Sequence, residues 1–261
     1  MEKDQTNQSK QDRGEFDLKP ITDDGTFRFS CHPGISCFNE CCHEIDVVLT
    51  PYDVLRLKKK LGIRSDEFLA KYTVLQSFGT TEVPLLKLAV ADEETRQCVF
   101  LGEKGCSIYD SRPTVCRNYP TGVASQDPTA GQSAQPYFII EEDMCKGHLE
   151  GQKWSIPEWK ANQGAAELDE LNKPWLEMIP RLKSLRLRDD KDQKMNIFIM
   201  VSFDQDTFRS MVFESSFLDR FEVSQATADL LKNDEDELLK FGFKWLEFVL
   251  FGEGPIRPKK Q

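Results

Sequence analysis

Eight cysteines in the first 145 residues of this 261-residue chain are the residues whose type and spacing point most directly to chemistry. They are Cys31, Cys37, Cys41, Cys42, Cys98, Cys106, Cys116 and Cys145. The first four fall within twelve consecutive positions, and no cysteine follows the last. Clustered thiols in a reducing compartment bind metal more often than they form disulfides. The spacing predicts a metal or iron–sulfur site with all eight as candidate ligands; disulfides, redox thiols and inert buried thiols are the alternatives.

The gaps between the cysteines exclude several common metal sites. No C-x-x-C pair occurs, so the chain lacks the short knuckles of zinc ribbons, zinc fingers and thioredoxin-like redox pairs. A C-x-x-x-C-x-x-C loop begins at Cys37 and Cys41, but a glutamate stands at position 44. Adjacent side chains diverge by about 100–180° on regular backbone. Cys41 and Cys42 are therefore expected to serve two neighbouring centres, or to divide into one ligand and one packed thiol.

All three histidines of the chain lie within three residues of a cysteine. His32 and His43 belong to the first cysteine group, and His148 follows Cys145. Imidazole is a common metal ligand, and it also serves as a hydrogen-bond donor behind the ligands. Both roles stay open for each histidine.

The charge of the chain argues against a nucleic-acid partner. A net charge of −10 repels phosphate backbones, and the basic stretches at 58–60 and 258–260 are interpreted as a solvated helix face and a tail. The N-terminus lacks the apolar run of a secretory signal, and no stretch approaches the ~20 apolar residues of a membrane span. These features predict a cytoplasmic protein that binds neither nucleic acid nor membrane.

Capping signals mark the starts of three helices. The T-P-Y-D sequence at 50–53 and the stop at Gly62 predict a helix that begins after Thr50. A second helix is predicted at 65–72. A third begins at Ser155, which has a glutamate three residues on.

The remaining elements follow from apolar patterns. Strands are predicted within 44–50, in a meander over 83–109 and at 136–142. Residues 121–136 read as a surface loop by composition. Residues 196–203 are consistent with a strand or a buried helix, and helical spacing in 206–221 and 224–252 makes the C-terminal third mainly helical.

Together these patterns predict three regions. Residues 1–25 form a flexible polar leader, 26–150 a cysteine-cluster metal-binding domain, and 151–261 a helical C-terminal domain. The predicted fold class is α+β, with a small metal-stapled N-terminal domain of short strands and helices ahead of a mainly helical region.

The block GCSIYDSRPTVCRNYP at 105–120 carries a family resemblance. With the early cysteines ending in CC, the CVFL stretch at 98–101 and a later cysteine, it resembles the YkgJ-type cysteine-cluster family. That resemblance covers roughly residues 27–150 and implies a zinc- or iron-chelating domain. Members space the early cysteines more tightly than Cys31 and Cys37, so the role of Cys31 stays open. The same cluster occurs in flagellin lysine methylases, which makes methyl transfer a candidate activity.

Charges and prolines around Cys116 have a physical interpretation. Four thiolates around a [4Fe–4S] core or a zinc ion leave a charge of about −2, which nearby cations must offset. Arg112 and Arg117 are expected either to do so or to form ordinary surface salt bridges. Pro113 and Pro120 are expected to fix the turn into the segment that carries Cys116 and the exit from it.

Three functions fit the sequence. The first is a metal-binding protein that holds an iron–sulfur cluster or zinc through clustered thiolates, with redox activity open. The second is a structural zinc module that supports a protein-interaction domain, with a protein partner on the C-terminal helices. The third is a protein-lysine methyltransferase, although no glycine-rich dinucleotide-type loop occurs. Enzymatic activity stays open.

Overall fold

The computed structural model describes residues 16–21, 25–43, 45–78, 83–123, 137–182 and 190–259. Its strands are β1 (Phe16–Ile21), β2 (Thr26–Arg28), β3 (Val48–Leu49), β4 (Thr73–Phe78), β5 (Val83–Leu88), β6 (Leu101–Gly102), β7 (Gly105–Cys106), β8 (Thr121–Val123), β9 (Tyr137–Glu142) and β10 (Lys153–Ser155). Its α-helices are α1 (Pro51–Leu61), α2 (Ser65–Tyr72), α3 (Thr114–Asn118), α4 (Ile156–Asn162), α5 (Ala166–Leu182), α6 (Lys191–Phe203), α7 (Gln205–Phe213), α8 (Phe217–Arg220), α9 (Gln225–Asn233) and α10 (Glu235–Phe251). Short strands and a mainly helical C-terminal region confirm the predicted α+β class.

Backbone contacts divide the chain into two compact units. The cysteine unit consists of the described parts of Met1–Ile45, Val90–Ser107 and Cys116–Ala166. The helical unit consists of the described parts of Asp46–Ala89, Ile108–Val115 and Glu167–Gln261. Each unit is assembled from separate stretches, whereas the predicted domains follow one another along the chain. That sequential division stays a prediction.

The cysteine unit contains two small antiparallel sheets and a hairpin. Strand β9 lies between β1 and β8, β2 pairs with β10, and β6 pairs with β7. Its core consists of Phe27, Phe29, Ile139, Ile156 and Trp159. The rings of Phe27 and Phe29 meet the ring of Trp159 edge to face, with centroids 5.9 and 5.5 Å apart. The partly buried Cys145 packs against this core, so one of the predicted ligands is part of the unit's packing.

Strand β1 falls within the region predicted to be a flexible leader. It pairs antiparallel with β9, and Lys19 forms an ion pair with Glu141, 122 positions away. A partner so distant leaves no local periodic signal in the sequence. The leader prediction is therefore corrected at residues 16–21.

Two glycines allow the segment before Cys31 to approach the segment after Cys145. A Cβ atom on Gly151, whose φ is +82°, would lie 2.5 Å from the Ser30 side chain, and one on Gly147 would lie 2.7 Å from the Ser30 carbonyl oxygen. The Ser30 N–H donates to the Gly147 carbonyl at 3.0 Å. Only glycine permits backbones to come this close. The approach fixes the chain immediately before the first cysteine.

The helical unit combines a three-stranded sheet with the C-terminal helices. The sheet has the order β3-β5-β4, and α10 contacts α6, α7 and α9. Residues 196–203 lie in α6, where Phe198, Val201 and Phe203 are fully buried. The run is therefore helical; its continuous apolar character reflects burial rather than strand geometry.

Three helices begin close to their predicted positions, and reciprocal caps fix the starts of two of them. The Thr50 hydroxyl accepts a hydrogen bond from the Asp53 N–H at 3.3 Å, and the Asp53 carboxylate accepts one from the Thr50 N–H at 2.9 Å. Gly62 ends α1 in the left-handed conformation, with φ of 66°. Ser155 and Glu158 form the same reciprocal box at the start of α4, and α2 covers the predicted residues 65–72.

Two buried charged side chains join elements of the helical unit. The Asp53 carboxylate also accepts hydrogen bonds from the N–H and hydroxyl of Thr114, at 2.8 and 2.7 Å. Lys58 donates to Asp206 at 3.0 Å and to Glu235 at 2.6 Å, with its side chain only 5% exposed. The interpretation of 58–60 as a solvated face is therefore wrong for Lys58, because the carboxylates of α7 and α10 compensate its burial.

The predicted strands are present in shortened form. The strand expected within 44–50 reduces to β3, the meander over 83–109 becomes β5 and the β6–β7 hairpin, and 136–142 corresponds to β9. Of the predicted loop at 121–136, the first three residues form β8, and the rest lies outside the described residues. None of the described helices has the length and hydrophobicity that crossing a bilayer requires.

Candidate metal centre

Every cysteine and every histidine of the chain belongs to the cysteine unit. Its three stretches carry four, two and two cysteines in chain order. No two of these eight thiols, all of which lie in the described part of the chain, form a disulfide. Thiols that are more than a hundred residues apart in sequence therefore share one compact unit.

Tight turns hold the first cysteine group. The Glu40 N–H donates to the Cys37 carbonyl at 3.1 Å, and the Cys42 N–H donates to the Asn39 carbonyl at 2.9 Å. Asn39 takes the left-handed conformation, with φ of 74°, immediately before a 3₁₀ helix at Glu40–Cys42. These bonds fix the main chain that carries three of the four early thiols.

Cys41 and Cys42 are consecutive residues of the 3₁₀ helix at Glu40–Cys42, and the backbone turns to an extended conformation at His43. The neighbouring Cys42 side chain is the largest cause that raises the pKa of the Cys41 thiol. The expectation that the two thiols serve two neighbouring centres, or divide into one ligand and one packed thiol, stays a prediction.

The second cysteine pair is attached to the first group through the backbone. The Cys98 N–H donates to the Cys42 carbonyl at 2.8 Å. Cys106 lies opposite Leu101 in the β6–β7 hairpin, a few residues further along. The bond places Cys98 beside the Cys42 backbone, and the hairpin places Cys106 opposite Leu101, three residues after Cys98.

The last cysteine lies in a turn that follows β9. The Cys145 N–H donates to the Glu142 carbonyl at 2.8 Å. The next residue, Lys146, donates its N–H to the Cys37 sulfur at 3.1 Å. The turn therefore meets the first cysteine group.

Electrostatic effects connect the thiols further. A hydrogen bond with Cys42, burial, and the neighbouring Cys145 and Glu142 all raise the pKa of the Cys41 thiol. Burial is the largest cause that raises the pKa of Cys98, and Cys106 and Cys41 add to it. These mutual influences identify an inner group of thiols within electrostatic range of one another. Its members are Cys41, Cys42, Cys98, Cys106 and Cys145.

Two predicted ligands lie at the surface. Cys31 and Cys116 are exposed residues, the former in the first cysteine group and the latter on α3. Cys41 is also exposed as a whole residue, although its thiol interacts with the inner group. Exposure alone therefore does not separate Cys31 and Cys116 from the other thiols.

Two of the three histidines have polar partners within the protein. The His32 ring lies 3.2 Å from the Glu150 carboxylate and accepts a hydrogen bond from the Gly34 N–H at 3.1 Å. His148 lies 3.0 Å from the Ile140 carbonyl, and burial lowers its pKa. These contacts support a structural role for His32 and His148.

The side chains do not converge on a single point. Among the residues that the structure describes, no three side chains of His, Cys, Asp or Glu are arranged to hold a metal ion. The metal site predicted from the cysteine spacing is therefore not assembled by the described side chains in this arrangement. In chemistry the donor set fits a thiophilic ion, because thiolates are the preferred ligands of zinc and iron–sulfur clusters. The identity of the ligands stays a prediction.

The two arginines near Cys116 have partners of their own. Arg117 is 6% exposed and donates to the Gln163 carbonyl at 2.8 Å. Arg112 donates to the Tyr109 carbonyl at 2.8 Å, and its guanidinium lies 4.1 Å from the centre of the Tyr109 ring. Each arginine therefore hydrogen-bonds a backbone carbonyl. The two roles expected from the sequence, compensation of thiolate charge and formation of surface salt bridges, stay predictions.

Tyr119 and Glu142 are site residues that sequence reasoning missed. The Tyr119 hydroxyl donates to the Glu142 carboxylate at 2.9 Å. Burial is the largest cause that raises the pKa of this phenol, and the Cys145 side chain and Glu142 add to it. Both residues lie outside the cysteines and histidines that the sequence analysis considered. The available signal was the position of Glu142 three residues before a cysteine, at the end of a strand.

Comparison with known proteins gives one match. Residues 30–146 match the CxxCxxCC family model, described as "Putative zinc- or iron-chelating domain". The match includes all eight cysteines and confirms the resemblance over residues 30–146. The family name implies two residues between successive early cysteines. In this chain five residues separate Cys31 from Cys37, and three separate Cys37 from Cys41. No curated protein and no solved structure matches the chain. The redox, partner-binding and methyltransferase interpretations stay predictions.

Proposed function

We propose that this protein binds zinc or iron through cysteine thiolates of the cysteine unit. The observation that carries the proposal is the collection of all eight thiols, from three stretches of the chain, into that one unit. Thiolates bind zinc and iron–sulfur clusters in preference to magnesium or calcium. The unit supplies donors of the chemistry that the family description implies.

The inner group of thiols is the proposed ligand set. Cys42 and Cys145 raise the pKa of Cys41, and Cys106 and Cys41 raise that of Cys98. The Cys37 sulfur accepts a hydrogen bond from the Lys146 N–H, next to Cys145. Six thiols exceed the four that one tetrahedral zinc ion takes, a surplus that favours an iron–sulfur cluster or a second centre. Cys31 and Cys116 are proposed as peripheral ligands.

The main chain around the proposed ligands is already fixed by hydrogen bonds. Cys37 and Cys42 lie in tight turns, and the Cys98 N–H is bonded to the Cys42 carbonyl. Metal binding is therefore proposed to require rotation of side chains rather than refolding of the backbone. Rotation about χ1 moves a sulfur by several ångströms with little effect on the chain.

Metal analysis of the full-length protein, purified without oxygen, tests the proposal. We expect at least one equivalent of zinc or iron per chain, and acid-labile sulfide with a brown colour if the metal is in an iron–sulfur cluster. Preparations with reduced thiols and neither metal contradict the proposal.

Single cysteine variants then test the ligand set. Cys41→Ser and Cys145→Ser are expected to lose most of the metal, because each removes a thiol of the inner group. Cys116→Ser, the matched control at an exposed cysteine, is expected to retain more of it. Equal retention in all three variants contradicts the proposed ligand set.

A further inference from the structure

We infer that strand β4 is an interaction edge at which a second copy of this chain adds its own β4, so that the two sheets join across a two-fold axis. The contact belongs to the helical unit and does not depend on the metal centre. It gives a partner to the outer edge of the sheet with the order β3-β5-β4.

The pairing register shows which backbone groups of β4 point away from the sheet. Strand β4 pairs antiparallel with β5, and Thr73 lies opposite Leu88. The Ala89 N–H donates to the Tyr72 carbonyl at 2.8 Å, so the pair before Thr73 is hydrogen-bonded. Hydrogen-bonded and non-hydrogen-bonded pairs alternate along an antiparallel ladder. The outward N–H and C=O groups of β4 are therefore those of Thr73, Leu75 and Ser77.

The outer side of β4 is open to a further strand. Strand β4 is the last strand of its sheet, with β5 on its inner side. Among the residues that the structure describes, none outside β5 forms a hydrogen bond with the main chain of Leu75. Unpaired N–H and C=O groups along a strand edge are a template for pairing with another chain.

Two apolar side chains of β4 are half-exposed at this edge. Leu75 is 48% exposed and Val74 is 55% exposed. Leu75 lies opposite Leu86 of β5, which is only 3% exposed, and residues directly opposite each other share one face of a sheet. The buried face of the sheet therefore continues outward to Leu75. A further strand with an apolar side chain beside Leu75 extends that face.

Strand β4 lacks the features that protect other strand edges of this chain. Exposed edges are commonly kept short or carry charged residues and proline. The edge strand β1, also six residues long, carries Asp17, Lys19 and Pro20, whereas the edge strands β3 and β8 have two and three residues. The sequence of β4, TVLQSF, contains no charged residue, proline or glycine. Among the described strands, β4 is the long edge without such protection.

A second copy of β4 matches this edge. The register that joins all the outward-facing residues places Thr73 opposite Ser77 and Leu75 opposite its own counterpart. Each Leu75 then covers the other on the buried face, and Val74 lies opposite Gln76 on the other face. No charged side chain of one strand meets another, although the chain as a whole carries a net charge of −10. One two-fold axis through the Leu75 pair satisfies both edges.

Sedimentation equilibrium of the full-length protein tests the inference. Reductant in the buffer excludes dimers made by disulfides, since all eight cysteines are free. Two paired strands form a smaller contact than a standard interface, so we expect a monomer–dimer equilibrium within about 1 µM to 1 mM protein. Leu75→Glu places two carboxylates opposite each other on the two-fold axis. It is expected to raise the dissociation constant about tenfold or more.

Val74→Glu is the matched control, because it adds the same charge one residue away at a side chain of similar exposure. Its carboxylate lies opposite Lys87 within the sheet and opposite the uncharged Gln76 of the second copy. This variant is therefore expected to dimerise like wild type. Similar thermal midpoints of the two variants in dilute solution check that both are folded.

Residue-resolved hydrogen exchange of wild type locates the contact without a substitution. The Leu75 N–H points outward, so its exchange is expected to slow as the protein concentration rises. The N–H groups of Val74 and Gln76 belong to hydrogen-bonded pairs with β5, so they are expected to exchange slowly at every concentration.

Three results overturn the inference. Wild type that stays monomeric over the whole range leaves the edge to a strand of a different protein. A dimer that Leu75→Glu and Val74→Glu weaken equally follows another register or forms at another surface. A dimer in which exchange of the Leu75 N–H does not slow with concentration forms away from β4.

Discussion

Asp53 and Thr114 are joined by two hydrogen bonds, from the Thr114 N–H and from its hydroxyl to one carboxylate oxygen, at 2.8 and 2.7 Å. The other carboxylate oxygen accepts the Thr50 N–H at 2.9 Å. One buried side chain thus satisfies donors at the starts of α1 and α3. Because α3 carries Cys116, the residue also determines where that cysteine's helix begins.

Thr114→Val is expected to lower the free energy of unfolding by about 1–2 kcal/mol, because it removes one buried hydrogen bond at almost unchanged volume. Thr114→Ser keeps the hydroxyl and is expected to lose less. Denaturant unfolding of both variants, followed by circular dichroism, measures the difference. Equal stabilities for the valine and serine variants would mean that the hydroxyl contributes nothing.

Lys58→Met is expected to destabilise the protein by about 3–5 kcal/mol, because it leaves the carboxylates of Asp206 and Glu235 together without their buried cation. The control is Lys60→Met, two residues along the same helix and exposed. A surface lysine of this kind contributes about 0–1 kcal/mol. Thermal unfolding of the two variants checks the contrast, and equal midpoints contradict it.

Acid is expected to weaken the contact between α2 and α7. Burial raises the pKa of Asp206, but hydrogen bonds from Ser65 and Lys58 outweigh burial and lower it below its usual 3.8. A carboxylate with a lowered pKa stabilises the folded state above the unfolded-state pKa, and that contribution disappears as pH falls through the folded-state value. Asp206→Asn should therefore be less stable than wild type at neutral pH, with a difference that shrinks below pH 3.8.

Denaturation measured from neutral to acidic pH tests the effect of Asp206. The exposed Asp66, which pairs with Arg64, supplies the control variant Asp66→Asn. A difference between wild type and Asp206→Asn that stays constant with pH means that its cause is not the carboxylate charge.

Removal of the metal is expected to loosen the cysteine unit selectively. Hydrogen exchange of full-length protein with and without a chelator should show faster exchange in 35–43, 96–107 and 140–148, where the proposed ligands lie. Helix α10 should keep its protection, because its buried face is formed by apolar side chains of the helical unit. No change in the cysteine segments on stripping a loaded protein contradicts a structural contribution of the metal.

Local signals predicted the helices well. The starts of α1 and α4 follow from reciprocal caps between residues three positions apart, so the information lies in a few consecutive letters. Strand β1 could not be predicted this way, because its partner β9 lies more than a hundred residues later. The interleaving of the two units has the same cause: it depends on contacts between distant stretches.

The sequence was sufficient to predict which thiols the site contains, but not how they are arranged in space. Spacing identified all eight thiols and led to the family resemblance that the family model confirms. The bond between the Cys98 N–H and the Cys42 carbonyl was not predictable, since it joins stretches of chain that are distant in sequence. Tyr119 escaped notice because its partners become neighbours only when β9 and α3 are folded.

Because the cysteine unit is assembled from three stretches of the chain, it can be completed only after the last stretch has been synthesised. The ribosome adds roughly a hundred residues between Cys42 and Cys145, which at about 5–20 residues per second takes on the order of 5–20 s. During that interval the thiols of the first cysteine group are present on the nascent chain, and Cys145 has not yet been synthesised. A centre that needs Cys145 is therefore completed late, and the cell has to keep the waiting thiols from oxidants and from adventitious ions until then.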